Sequence, residues 1–405
     1  AYWVIVGEMI GIAASWGFIS RKLKRLGDET DSNTLPDVLA AKFDDRWHLI
    51  RGVAVVIIVV MVTTYVSAQM VATGKAFSGF IGLDYRAGVI IGAVIIIGYT
   101  FVGGYKAVSY TDVVQGVLML SGLIAVPLVA ISAAGGWQQM TATLHAYDPS
   151  FIDMFAVLDG STAGFVAAVS FAAIGLPFLG VPQMLIRYMS ARDEEELKKA
   201  RIVSIAVLFV FLFGAVTAGI AGRALFPGLE DSELVFPTLA SELFPPLLTG
   251  VLLVIVLSAI MSTVDSLLLL ASSSIVRDTM QKMLGSTKSD ATLAGYGKVV
   301  TIIIGVIAVV VAVYMAENKL IFWFVLFSWS GLGAAFGPVV LALLYDRRTT
   351  GAGIVAGMLG GFLTSVVWVQ YFKAGTYGLY EAIPGFTVAA LATVVVSRLG
   401  GSRAS

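Results

Sequence analysis

Cysteine is absent from the 405-residue chain, which excludes disulfides, thiolate metal sites and thiol catalysis. Only two histidines occur, His48 and His145, in separate polar segments, so nothing supports a histidine metal cluster or a catalytic triad. Charge is scarce as well. Asp, Glu, Lys and Arg make up 13% of the residues, against roughly 25% in a soluble domain. They also cancel to a net charge of 0, which leaves no basic field for nucleic acid. What remains is apolar, with 58% hydrophobic residues and a mean hydropathy of +0.91. Too few polar side chains are present to build a water-facing shell, so the predicted solvent is a lipid bilayer.

A helix crosses a bilayer in roughly 20 apolar residues. Runs of that kind predict about eleven transmembrane helices, near 1–20, 53–80, 87–107, 111–134, 161–186, 202–222, 247–273, 299–316, 320–344, 352–372 and 380–398. Alternating the connecting segments puts 21 of the 26 Lys and Arg residues on one side and 5 on the other. By the positive-inside rule the first side is cytoplasmic, and the protein is a multi-pass protein of the cell membrane. Two cytoplasmic segments carry helix signals of their own. Residues 187–201 read as a short charged helix, and Thr34-Leu35-Pro36-Asp37 reads as the capped start of an amphipathic interfacial helix, although solvated linkers fit both. The chain opens inside an apolar run without an initiator Met, which predicts that it begins partway into a longer protein.

Polar residues inside such helices are costly and mark either function or pairing. In the seventh run, Ala259, Ser262, Thr263 and Ser266 fall on one helical face. Such a stripe lets helices pack closely, or offers oxygen ligands to a hard cation; the carboxylate of Asp265 beside it favours the second reading. Gly103-Gly104 predicts a tight passage between the third and fourth runs. Asp112, just beyond, either caps the fourth helix or faces a cation path. Gly175, Pro177, Gly180 and Pro182 predict an interrupted fifth helix, as a simple kink or as the wall of a cavity. Ser328 and Trp329 precede a run of small residues, and Glu8 is an acid near the middle of the first run.

Four stretches in order, 101–115 (FVGGYKAVSYTDVVQ), 257–266 (LSAIMSTVDS), 328–341 (SWSGLGAAFGPVVL) and 378–386 (GLYEAIPGF), resemble the solute:sodium symporter family, most closely its bacterial sodium/proline symporter branch. The resemblance spans residues 1 to about 397 and implies an all-α, LeuT-like inverted-repeat fold. A single transmembrane domain over 1–405 would then hold an incomplete first repeat (about 1–134), a second repeat (about 161–345) and extra helices (about 352–398), with the first core helix missing. It implies sodium-driven uptake of a small solute by alternating access, with no enzymatic activity and no cofactor beyond the coupling ion. By position it implies sodium ligands at Ala259, Ser262 and Thr263, and a second cation site drawing on Asp112, Asp265 and Ser266. Solute would meet Ile174, Phe178, Pro182, Ser328 and Trp329. The first two replace larger aromatics of the proline symporters, which points to another amino acid or a small organic acid. Proton coupling, a sugar or other solute, and a channel remain as alternatives.

Overall fold

The computed structural model is all-helical and describes residues 2–43, 45, 47–315 and 321–400, the side chains of 102–107 and 315 apart. Arg46, Lys319, Arg403 and the side chain of Lys106, counted among the loop charges, lie outside the described residues.

The first crossing runs through α1 (Tyr2–Ala14), a π-helical turn at Ser15–Ile19 and α2 (Ser20–Glu29). The short α3 (Leu35–Ala41) follows, and the Thr34 hydroxyl caps it by accepting from the Asp37 N–H at 3.1 Å, as the sequence predicts. It does not lie on the surface, however. Leu35 through Ala40 are all buried, because Asp37 turns inward to two arginines. Next come α4 (Leu49–Ile81) and α5 (Tyr85–Ala133).

The 49 residues of α5 would extend about 74 Å if straight, more than twice the thickness of a hydrocarbon core. The helical path is unbroken at Gly103-Gly104, contrary to the predicted gap, but it bends. Tyr99 and Thr111 share a hydroxyl hydrogen bond. Twelve residues of straight helix would hold their backbones about 18 Å apart, beyond the reach of those two side chains. The bend thus makes two crossings of one helix. Asp112 lies inside the helical path, so the capping reading falls.

The outer segments carry two short helices that hydropathy does not reveal, α6 (Trp137–Tyr147) and, later, α10 (Val235–Leu243). Between them lies the interrupted crossing: α7 (Thr162–Ala172), a 3-10 segment at Ala173–Leu179 and α8 (Pro182–Met189). Then α9 (Glu194–Leu225) starts at Asp193, whose carboxylate accepts from the Glu196 N–H at 2.8 Å. The separate helix expected over 187–201 is therefore divided. Its start is the last turn of α8 and its end the acidic first turns of α9, where three glutamates favour the positive end of the helix dipole. The remaining elements are α11 (Pro246–Ser273), continued by a π-helical stretch at Ser274–Met283, α12 (Asp290–Met315), α13 (Ile321–Tyr345), α14 (Gly351–Val367) and α15 (Ala382–Leu399).

Among the described residues, ten helices are long and apolar enough to cross a membrane, and Tyr85–Phe101 adds a shorter apolar segment. Together they match the eleven crossings expected. α4 is the central post, packed against α5, α11, α12 and α13. α13 is the most enclosed crossing and α9 the least. The interrupted segment is clasped from both sides. A Cβ on Gly11 of α1 would lie 2.0 Å from the Gly175 carbonyl oxygen, and one on Gly333 of α13 would lie 2.3 Å from Pro177 Cα. Small residues here let backbone touch backbone, the usual means of association where lipid removes the hydrophobic drive.

Charge pairing follows the predicted sidedness. Arg25 meets Glu194 and Arg398 meets Asp346 on the cytoplasmic side, while Lys75 meets Asp231 and Glu233 on the outer side.

Candidate functional site

The bend of α5, the end of α8 and the middle of α11 converge on one polar crossing. On α11 the Thr263 hydroxyl donates to the Ala259 carbonyl at 3.0 Å, so two oxygens of the predicted sodium set sit together. One residue back, the Ser262 hydroxyl donates to Asp112 Oδ1 at 2.6 Å. The other oxygen of Asp112 accepts from Arg187 Nη2 at 2.7 Å, and the same nitrogen donates to Ser266 Oγ at 2.7 Å. Ala259, Ser262 and Ser266 are on one face because a helix brings i, i+3 and i+7 into register. Ser262 and Ser266 meet the Asp112–Arg187 pair because α5 bends just before Asp112.

Asp265 is fully buried about a sixth of a turn away from Ser262. Its Oδ1 accepts from the Thr100 hydroxyl, and its Oδ2 has no partner among the described residues. Among the described residues, no side chain is hydrogen-bonded to both Asp112 and Asp265. They are joined through α5, where Tyr99 contacts Thr111 beside Asp112, and Thr100 contacts Asp265. Carbonyl, hydroxyl and carboxylate oxygens together form the donor set that a hard cation takes.

Arg187 is the residue that sequence reasoning missed. It lies in a cytoplasmic charged stretch and reads as one more surface cation. Only the interruption of the fifth crossing turns α8 so that its last turn reaches Asp112. Its side chain is 51% exposed while that of Asp112 is 11% exposed, so the guanidinium neutralises the carboxylate from the cytoplasmic side.

The expected solute residues are brought together in part. Phe178 packs edge-on to Trp329 with ring centroids 5.2 Å apart, and Trp329 Nε1 donates to the Ile174 carbonyl at 3.3 Å. Pro182 opens α8 one turn below. Ser328, beside Trp329, is buried, and its hydroxyl donates back to the Phe324 carbonyl at 3.2 Å within its own helix.

A cavity of about 390 Å³ opens from Asp112, Arg187 and Ser266 toward Asn33 and Arg277 at the cytoplasmic surface. Its floor is a buried charge cluster. Arg51 Nη1 donates to Asp37 Oδ1 at 3.0 Å and to Asp278 Oδ1 at 2.7 Å, and Arg277 donates to Asp37 Oδ2 through Nε at 3.1 Å and Nη2 at 3.0 Å. Burial alone would raise the pKa of Asp37. The hydrogen bonds from Arg51 and Arg277, with their charges, outweigh it and hold the carboxyl below the usual range.

Helices crossing a bilayer around one interrupted helix, with a polar crossing beside the break and a cavity leading to one side, fit a secondary transporter of the LeuT-like fold. Comparison with known proteins agrees. Residues 1–361 match the sodium:solute symporter family. The chain is 36% identical over 403 residues to the "High-affinity proline transporter PutP" of Bacillus subtilis, covering 98% of this chain and 83% of that one. It is also 36% identical over 415 residues to a "Sodium/proline symporter" of Staphylococcus aureus, with 98% and 79% covered. The solved structure of a Na+-coupled sialic acid symporter superposes with a TM-score of 0.77 at 18% identity, covering 98% of this chain and 83% of that one, and shares the fold. The chain belongs to the sodium:solute symporter family. It is a sodium-coupled solute symporter of the plasma membrane and not an enzyme.

Proposed function

We propose that the chain imports a small zwitterionic amino acid together with sodium, and that L-proline is the first candidate. The names of its relatives in Bacillus subtilis and Staphylococcus aureus support the substrate. Phe178 and Trp329, which pack edge-on with Trp329 reaching the Ile174 carbonyl, are the residues that would meet a compact, mostly apolar solute, whereas a sugar would need more hydroxyl partners. The observation that carries the coupling is the bond between Ser262 and Asp112, which ties the α11 stripe to a carboxylate on the cytoplasmic path.

In this reading Ala259, through its carbonyl, and Ser262 and Thr263, through their hydroxyls, hold the coupling sodium. Asp112, Asp265 and Ser266 hold a second cation or pass the first one inward. Arg187 is the resident counter-charge of Asp112, and an arriving cation exchanges with it. Residues 1–134 and 161–345 act as the two repeats that rock about the interrupted crossing, with 352–398 appended. The 3-10 segment at Ala173–Leu179 is where backbone groups of the broken helix would meet solute, as broken helices do at membrane depth.

The experiment is uptake of radiolabelled L-proline into proteoliposomes under an imposed sodium gradient at clamped pH. Accumulation that collapses when the sodium gradient is removed supports the proposal. Accumulation driven by a pH gradient without sodium overturns the coupling, and sodium-driven uptake of a sugar in place of amino acids overturns the substrate class.

A further inference from the structure

The cytoplasmic cavity presents two polar groups of α8 that the cation network leaves unused. Gln183 and Arg187 both line it, and their spacing of four residues stacks them on one helical face. Both hydrogen bonds of Arg187 run through Nη2. Its Nη1 therefore keeps two N–H groups without a partner among the described residues, on a side chain that is half exposed. The amide oxygen of Gln183 is buried and has no donor among the described residues. Its terminal torsion is soft, so the amide turns toward the cavity at little cost. The second arginine in the wall, Arg277, is committed to Asp37 through Nε and Nη2. The open donor and the open acceptor thus stand together at the inner end of the cavity.

We infer that Gln183 and Arg187 form a cytoplasmic exit subsite for the head group of the transported amino acid, its carboxylate on Arg187 Nη1 and its ammonium on the Gln183 amide oxygen. This rests on the amino-acid reading above. The cavity volume of about 390 Å³ suits a small solute with some water. A charge-assisted bond to the guanidinium is the strongest contact the cavity offers a carboxylate. Because Arg187 also holds Asp112, a carboxylate on Nη1 draws positive charge away from Asp112. Solute in the subsite and a cation at Asp112 then favour each other, and linkage makes that effect reciprocal.

The absence of cysteine makes a single thiol a clean reporter. Ser273, which lines the same cavity, is changed to Cys. Inside-out vesicles in sodium-free buffer are labelled with a membrane-impermeant maleimide, so that sodium-dependent binding elsewhere contributes nothing. L-proline should slow labelling with a half-effect in the millimolar range, and L-prolinamide, which lacks the carboxylate, should not. Gln183→Met should weaken protection at least tenfold, whereas Gln183→Asn, which keeps a neutral acceptor that does not pair with Arg187, should retain part of it. Unprotected labelling rates match across these variants if they fold alike. Vesicles that accumulate L-proline with sodium but show no protection overturn the subsite and leave the amino-acid reading standing. Vesicles showing neither accumulation nor protection overturn both.

Discussion

Replacing Arg51 with Met tests whether the charge cluster under the cavity is held by its geometry. Arg51 is the only side chain that hydrogen-bonds the carboxylates of both Asp37 and Asp278 among the described residues. Without it, Asp37 keeps its two bonds from Arg277, but Asp278 keeps only the Thr34 hydroxyl, 2.9 Å from Oδ1. Asp278 is fully buried, and its Oδ2 already lacks a partner among the described residues. Removing one partner of a buried ion pair costs about 3–5 kcal/mol, mostly from the charge left behind. At about 1.4 kcal/mol per tenfold, that lowers the folded ratio by more than about a hundredfold. Most of this loss belongs to Asp278, so Arg51→Met with Asp278→Asn should recover about half of it or more. The assay is equilibrium unfolding in mixed dodecylmaltoside and SDS micelles, followed by circular dichroism, for both single variants and the double variant. A coupling energy beyond about 1 kcal/mol is expected for residues in contact. Strict additivity, or a single Arg51→Met loss below about 0.5 kcal/mol, would refute the reasoning.

The same cluster sets a pH dependence. Asp37 has its pKa lowered in the folded protein, so its contribution is complete above its unfolded value and is lost as pH falls through the folded one. Melting in detergent should show no Asp37-dependent change from pH 7 to about pH 5, then an acid limb below about pH 4 that Asp37→Asn flattens. Ser262→Ala and Thr263→Ala should each raise the half-saturating sodium concentration about tenfold or more, since a bond to a charged group contributes about 1.5–3 kcal/mol; Thr263→Ser should stay near wild type in the same uptake assay. Asp265→Asn should change sodium stoichiometry or apparent affinity, read from paired sodium and solute fluxes, and no change in either would remove Asp265 from the cation path. Gly11→Ala should destabilise by about 2 kcal/mol or more because its Cβ meets the Gly175 carbonyl oxygen at 2.0 Å. Gly17→Ala, with nothing within 4 Å, should be neutral within about 0.5 kcal/mol in the same micelle titration.

Much of the fold was legible along the chain because the bilayer imposes a length and a sidedness that one dimension can carry. The eleven apolar runs, the uneven Lys and Arg distribution and the interruption at Gly175–Pro182 each depend only on local composition. The face shared by Ala259, Ser262 and Ser266 follows from helical periodicity alone. The errors fell where tertiary contacts override local signals. Thr34 caps a helix as its sequence says, yet that helix is buried because Asp37 finds Arg51 and Arg277, residues far along the chain. Gly103-Gly104 reads as a break, but the path bends as one helix and carries Asp112 to Ser262. The sequence alone therefore determined that this is a many-helix membrane protein with small and hydroxyl side chains striped on one crossing. Only the tertiary structure decided which carboxylate that stripe faces and that Arg187 stands guard over it. A stripe is a property of one helix, whereas a partner 75 residues away depends on how two helices bend and meet.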